Sequence, residues 1–310
     1  MTNLRSLGTA LVGAALLFAP APGSAQTRIR NRDLSIVIQR DAESCADLKV
    51  TSDGQVAQSS EKSTLQRSEA PTLELNAADH GIIKVRGWSQ AAYSVDVCKI
   101  SVAEDRGTAE RALSAISVTR SAGHFSFTGP QGDANNWQAY FIVHAPANAS
   151  LDLQAANGPI SVANVNGSIK VRATNGPLSI KDCSGSVDAQ TNNGPIAFAG
   201  DGGEVRLHAG NGPISVKVSK DLWNGSLLEA QASNGPISLV LPAAFHSGVR
   251  VETAGHAPMS CRHEACASAY RNYSGDKQTL QMNGSNETIR VTTVSGPISV
   301  GTDKKPEKIL

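Results

Sequence analysis

From Leu151 to Val300 the aliphatic residues alternate in short runs, and the runs return at a fixed interval. Aligned on an asparagine, the units start at Asn157, Asn175, Asn193 and Asn211, spaced by 18 residues, then at Asn234 after a five-residue insertion near Asp221–Asn224. A last copy reads SGPISV from Ser295. Three residues past the asparagine stand Ile160, Leu178, Ile196, Ile214, Ile237 and Ile298, and two further on Val162, Ile180, Phe198, Val216, Leu239 and Val300. Ahead of it lie the pairs Leu151/Leu153, Ile169/Val171, Val187/Ala189, Val205/Leu207, Leu228/Ala230 and Ile289/Val291. A period of two is the strand period. Weaker turns at Asn166-Gly167, Ser184-Gly185 and Gly202-Gly203 split each unit into halves of nine. Each unit therefore predicts two short strands with one side inward, and the regular return predicts a repeat architecture.

Two topologies fit this pattern: an antiparallel meander of Asn-Gly hairpins, or a parallel solenoid in which Asn-Gly bends one strand into the next. In a two-residue hairpin the residue after the glycine donates its N–H across the turn. Here that residue is Pro159, Pro177, Pro195, Pro213, Pro236 or Pro297, and proline has no N–H to give. A proline at the start of a strand is acceptable, so the pattern predicts an all-β, single-stranded parallel β-helix with 18-residue, two-strand coils. Like residues would then stack about 4.8 Å apart, with Asn157, Asn175, Asn193, Asn211 and Asn234 forming a ladder at one corner. The hexapeptide solenoid is excluded because steps of six from Ile160 land on Asn166 and Arg172, and calcium-binding nonapeptide repeats because no GGxGxD recurs.

Around the repeats, residues 1–25 read as a cleaved secretory signal peptide: Arg5, an apolar run from Ala10 to Phe18, and Gly23-Ser24-Ala25 before the cut. Residues 26–70 read as an irregular cap segment and 71–150 as N-terminal coils, with Leu73, Leu75 and Ala77 starting the first and a short helix over Thr108–Ile116. Residues 151–301 hold the repeats, and 302–310 a tail. Met259 and Cys261 occupy the aliphatic positions of a partial coil, after which 262–288 is an excursion before a final coil from Ile289. No later stretch is long and apolar enough to span a membrane, so a soluble periplasmic or extracellular protein is expected. Of 28 basic residues one, Arg5, lies in the leader, so the mature chain balances 27 against 27 acidic ones. That balance supplies no field to gather nucleic acid or anionic lipid.

Five cysteines in an exported chain suggest disulfides with one thiol left over. Cys261 and Cys266 are close enough to close a local loop, and Cys45 and Cys98 can tie the N-terminal segment to the first strands. Cys183 is then the odd one. A zinc site at Cys261, His263 and Cys266 lacks a fourth ligand. Ser161, Ser179, Ser215, Ser238 and Ser299 fall outward between the two inward aliphatics, with Ala197 in the same column; they form either a hydroxyl strip that suits polysaccharide or a plain solvated face. The opposite face carries Asp152, Gln154, Lys170, Arg172, Asp188, Gln190, Arg206, His208, Glu229, Gln231 and Arg290, read as solvated charges that attract along the stack. Glycoside hydrolysis needs two carboxyl groups about 5 to 10 Å apart, and Asp182 with Asp201 is the one candidate pair; turn-favouring aspartate explains both without chemistry. His80, His124, His144, His208 and His246 are scattered without a nucleophile beside them. No residue set calls for a cofactor or metal.

The strand HGIIKVRGW, the helix after VDVCKI, the entry VHAPANASLDLQAANGPISV, the NGPIS units and the loop CRHEAC together resemble a bacterial family of exported β-strand-repeat proteins, of unknown function and provisionally classed as adhesins. The resemblance spans roughly residues 45 to 300. It implies the repeat fold and surface attachment, and carries over no catalytic residue. The expectation is an exported structural or binding module of the cell envelope whose partner is a polysaccharide or another envelope protein. The alternative is a carbohydrate-active enzyme on a β-helix.

Overall fold

The computed structural model describes the backbone of residues 29–31, 34–38, 42–77, 81–130, 136–254 and 257–303. The leader at 1–25, Asp79, His80 and most of the tail lie outside the described residues. Among the described residues the protein is all-β, with two large mixed sheets of 11 and 12 strands and a small third sheet of three. Among the described residues one α-helix, Arg106–Ser114, accompanies them.

Through the repeats the chain alternates between the large sheets. Ser150–Ala155 is followed by Ile160–Ala163, Ser168–Ala173 by Leu178–Lys181, and Ser186–Asn193 by Ile196–Gly200. Gly202–Asn211 is followed by Ile214–Val218, and Asn224–Asn234 by Ile237–Leu241. We call each such strand pair a rung. Like positions pair in parallel from rung to rung: Leu151 with Ile169, Val187, Val205 and Leu228 in one sheet, and Ile160 with Leu178, Ile196, Ile214 and Ile237 in the other. The inward aliphatics of both sheets join in one continuous buried core. The five-residue insertion adds Trp223, whose ring packs 6.2 Å from that of Phe198.

The corner chemistry explains the recurrent Asn-Gly-Pro. Each proline carbonyl accepts from the aliphatic N–H of a neighbouring rung, as in Ile160 N to Pro177 O at 3.0 Å and Leu178 N to Pro195 O at 2.9 Å. At the glycines the backbones come too close for a side chain: a Cβ on Gly158 would lie 1.6 Å from Gly81 O, and one on Gly176 2.1 Å from Gly158 O. The asparagines do form a ladder in one direction, Asn175 Nδ2 to Asn157 Oδ1 at 2.8 Å, Asn193 to Asn175 at 2.8 Å, Asn211 to Asn193 at 2.9 Å and Asn234 to Asn211 at 3.0 Å.

The ends depart from an all-parallel stack. Thr72–Asn76 and Gly81–Trp88 do make a rung, with Leu73 beside Leu151 and Ile83 beside Ile160. His124–Thr128 and Asn136–Pro146 make another, but they lie on the far side of it, so the chain must jump back over that rung to reach Ser150. From there the 11-stranded sheet turns antiparallel, through Ala92–Ala103 to Gln55–Gln66. The segment 26–70 is thus not irregular throughout: Gln55–Gln66 is a 12-residue edge strand, and Leu48–Ser52 pairs in the small sheet. Its polar composition reflects a strand with one neighbour and a solvated flank. The helix runs two residues earlier than expected, because Asp105 caps it through Thr108 N at 2.9 Å; Ala109 is its buried residue and Ile116 lies beyond its end.

The C-terminal end is interleaved in the same way. Met259 and Cys261 take the aliphatic register as expected, beside Ile298 and Val300. Yet the last strands among the described residues, Glu287–Ser295 and Ile298–Thr302, sit inside that rung, between it and Asn224–Leu241. The excursion at 262–288 does not leave the stack: Tyr270–Ser274 and Lys277–Met282 form a hairpin that extends the 12-stranded sheet antiparallel to Gly248–Thr253.

Candidate functional site

Two flat outer faces follow from this register. On the 11-stranded sheet the expected hydroxyl column exists. Ser161, Ser179, Ala197, Ser215, Ser238 and Ser299 are register partners in that spatial order, and Ser260 continues the column beside Ser299. The next outward column holds Ala163, Lys181, Ala199, Lys217, Val240 and Gly301, so small side chains leave the sheet surface bare between two lysines.

On the 12-stranded sheet, Asp152, Lys170, Asp188, Arg206, Glu229 and Arg290 form one column of alternating sign. Lys170 reaches Asp152 at 3.6 Å and Arg206 reaches Glu229 at 3.9 Å, exposed pairs worth under about 1 kcal/mol each. The neighbouring column runs Asn76, Gln154, Arg172, Gln190, His208 and Gln231. Its first four members, with Thr174, Asn192 and alanines at the corner, line a shallow cavity of about 380 Å³. Gln154 and Gln190 each donate to the aspartate two residues before them on their own strand, and Arg172 pairs with Asp188 at 3.4 Å. The sequence carried no signal for this hollow: Ala155 and Ala173 belong to an inward column that is small throughout, continuing as Thr191, Ala209, Ala232 and Thr293, and the outward face was read as solvated.

The remaining candidates separate. Asp182 adopts a left-handed φ of 53° and lies 3.7 Å from Lys181; Asp201 pairs with Lys220. Each carboxylate thus has a lysine of its own. Cys261 and Cys266 are joined in a disulfide, which removes both thiolates from a zinc site, and His263 uses both ring nitrogens, Nε2 against Pro242 O at 2.7 Å and Nδ1 accepting from Ala265 N at 3.1 Å. Cys45 and Cys98 form the second disulfide. Cys183 is a buried free thiol whose pKa burial pushes up to about 11. Among the described residues no group of three or more His, Cys, Asp and Glu is arranged to hold a metal ion.

One cluster escaped the sequence. The segment 42–50 lies across the outer face of the N-terminal strands, covering Ile82, Ile100, Val102, Tyr140 and Ile142 with Leu48 and Val50. It is fastened by the Cys45–Cys98 bridge, by Lys84 Nζ to Ala42 O at 2.8 Å, and by Glu43, which pairs with both Arg86 and His144. The His144 ring stacks 5.1 Å from Trp88. The His144 hydrogen bond, with help from Arg86, holds the Glu43 carboxyl below its ordinary value.

No helix among the described residues is long and apolar enough to cross a membrane. No family model matches the chain, and no curated protein does. Solved structures similar to it include a provisionally assigned cell adhesion protein from Clostridium sporogenes, 11% identical, covering 80% of this chain and 100% of its own at a TM-score of 0.33. A provisionally assigned adhesin from Bacteroides fragilis is 10% identical over 80% of this chain and 97% of its own, at a TM-score of 0.38. A provisionally assigned lipid binding protein from Parabacteroides distasonis is 11% identical over 81% of this chain and 98% of its own, at a TM-score of 0.32. The first two descriptions are of the class that the sequence resembles.

Proposed function

We propose that the chain is an exported binding module of the cell envelope, built as a single-stranded parallel β-helix of 18-residue coils, with no catalytic site. The observation that carries this reading is the in-register repetition of outward side chains across six strands of each large sheet. Small hydroxyls on one face and charges of alternating sign on the other, set about 4.8 Å apart, offer linear arrays, which suit a partner that is itself extended and repetitive, a polysaccharide or a strand-rich envelope protein. Two disulfides support an oxidising compartment. The private lysines of Asp182 and Asp201 favour turn roles over acid–base catalysis.

A glycan array with the mature chain tests the reading. Retention of an extended glycan, lost when Ser179 and Ser215 are both replaced by glutamate, supports it. Release of oligosaccharide that disappears in Asp182→Asn or Asp201→Asn would make the chain an enzyme and overturn it.

A further inference from the structure

The rung made by Glu287–Ser295 and Ile298–Thr302 sits in a slot framed by residues that precede it in the chain. Glu287–Ser295 pairs with Asn224–Asn234 on one side and Gly248–Thr253 on the other. Ile298–Thr302 pairs with Ile237–Leu241 and Met259–Cys261. Ile289, Val291, Thr293, Ile298 and Val300 are at most 1% exposed, so this stretch must be covered wherever it lies. Without it, the flanking rungs stand two strand spacings apart, about 9.6 Å.

The frame of that slot is held by contacts that do not involve the insert. The connection across the gap, residues 242–247, buries Phe245 and is tied back by His246 N to Asp221 O at 3.0 Å and by Ser247 Oγ accepting from Trp223 N at 3.0 Å. The Cys261–Cys266 bridge pins the outer wall, and neither disulfide reaches beyond Cys266. The insert is joined to the frame by the exposed residues 283–286. Asn283 and Gly284 there take left-handed φ values of 58° and 91°, as the chain crosses back over Gly248–Thr253 from the hairpin on its far side.

We propose that residues 287–302 are an exchangeable insert, able to fill the slot of a second copy of this chain and to join two chains by reciprocal exchange. Every contact inside the slot is the same whether the insert comes from its own chain or from its partner, so the two forms differ at the four-residue hinge and in the entropy of association. An extended hinge releases the left-handed turn at Asn283 and gives up the bonds that its Nδ2 donates to Phe245 O at 3.0 Å and Ser247 O at 3.2 Å. Concentration during folding then decides which form is made. The exchange needs no redox step, since no disulfide crosses the hinge.

Val240 and Gly301 are outward register partners on the frame and the insert, which gives a direct test. In a Cys183→Ala background, full chains carrying Val240→Cys and full chains carrying Gly301→Cys are unfolded together in denaturant at about pH 4, where thiol–disulfide exchange stops. They are refolded as a mixture and oxidised at neutral pH. A covalent heterodimer is expected, its ratio to monomer rising in proportion to the protein concentration during refolding, and none is expected from mixing the folded proteins. The double variant Val240→Cys/Gly301→Cys, oxidised while folded and put through the same cycle, is expected to return monomer alone; left unoxidised, it is expected to give dimer. Monomer at every concentration, dimer without the 240–301 cross-link, or dimer from the locked double variant would each overturn the proposal.

Discussion

Gly176→Ala isolates the corner chemistry in a single methyl group. The new Cβ would stand 2.1 Å from Gly158 O and 2.8 Å from Gly158 C, whereas carbon and carbonyl oxygen settle at about 3.3 Å or more. The obstacle is backbone, so no side chain can rotate away and the two rungs must part locally by about 1 Å. At that separation the bond from Ile160 N to Pro177 O, 3.0 Å, and that from Asn175 Nδ2 to Asn157 Oδ1, 2.8 Å, cease to be hydrogen bonds. Two lost bonds at about 1 kcal/mol each and about 1 to 3 kcal/mol of overpacking strain outweigh the roughly 0.5 to 1 kcal/mol that alanine gains through the unfolded chain. The expected net loss is about 2 to 4 kcal/mol. Asn175→Ala breaks two exposed ladder bonds and should cost about 1 to 2 kcal/mol, while Gly301→Ala, whose Cβ meets nothing within 4 Å, should stay within about 0.5 kcal/mol of the parent. Urea unfolding followed by far-UV circular dichroism ranks the three. A Gly176→Ala protein as stable as Gly301→Ala would refute close backbone approach as the reason for glycine at the corner.

Ile196→Asp places a carboxylate between Leu178 and Ile214 in the buried column; with no partner for the charge, a loss of about 4 kcal/mol or more is expected, and an unchanged melting temperature would remove Ile196 from the core. Glu43 is held below its ordinary value of 4.5, chiefly by His144, so the folded state binds fewer protons than the unfolded one there. The fastening it contributes is present above that value and lost as the pH falls through the lowered one. The protection of residues 42–52 against hydrogen exchange, taken relative to the intrinsic rate at each pH, should therefore fall on acidification below about pH 4.5, and Glu43→Gln should remove that pH dependence. Cys183, with its thiol at about 11, should resist iodoacetamide at pH 8 in the folded protein and take up one equivalent in denaturant; labelling of the folded chain would contradict its burial. The Cys45–Cys98 bridge closes a sequence separation of 53 residues, for which the chain-entropy treatment gives about 4 kcal/mol, so selective reduction there should lower the urea midpoint more than reduction of Cys261–Cys266.

The repeats were legible because local and tertiary signals coincide in them. A parallel neighbour 18 residues away presents the same residue type, so the inward columns from Ile160 to Ile298 and the asparagine ladder could be read off one unit and extended. The part of the proline argument that excludes Asn-Gly hairpins agrees with the parallel pairing of the repeats, for a physical reason: the residue after glycine needs no donor at this corner, and its carbonyl is what the neighbouring rung uses. Both disulfides were visible for a similar reason, since five cysteines leave few sensible pairings once one pair is only five residues apart.

The ends were illegible because nothing in a single strand records which neighbour it will take. Pro258–Cys261 and Ser295–Val300 carry the same inward pattern, so either would fill either slot, and chain order was the only guide to placing them. What decides is the length and anchoring of the connections: residues 242–247, held by Phe245 and by Asp221, reach past one position, and the hairpin Tyr270–Met282 brings the chain back to fill it. The antiparallel strands at each end have the same origin. A parallel stack ends in an open edge on each sheet, and antiparallel strands replace that edge with a polar, solvated one built from residues whose composition is ordinary, as Gln55–Gln66 and Tyr270–Ser274 show. The Glu43, Arg86 and His144 cluster was invisible on the same grounds, since 101 residues separate Glu43 from His144 and neither carries a local pattern. Interleaving therefore belongs to the connections rather than to the repeats, and an exchange between chains that keeps every repeat contact and changes only a connection is the behaviour this division of labour leads one to expect.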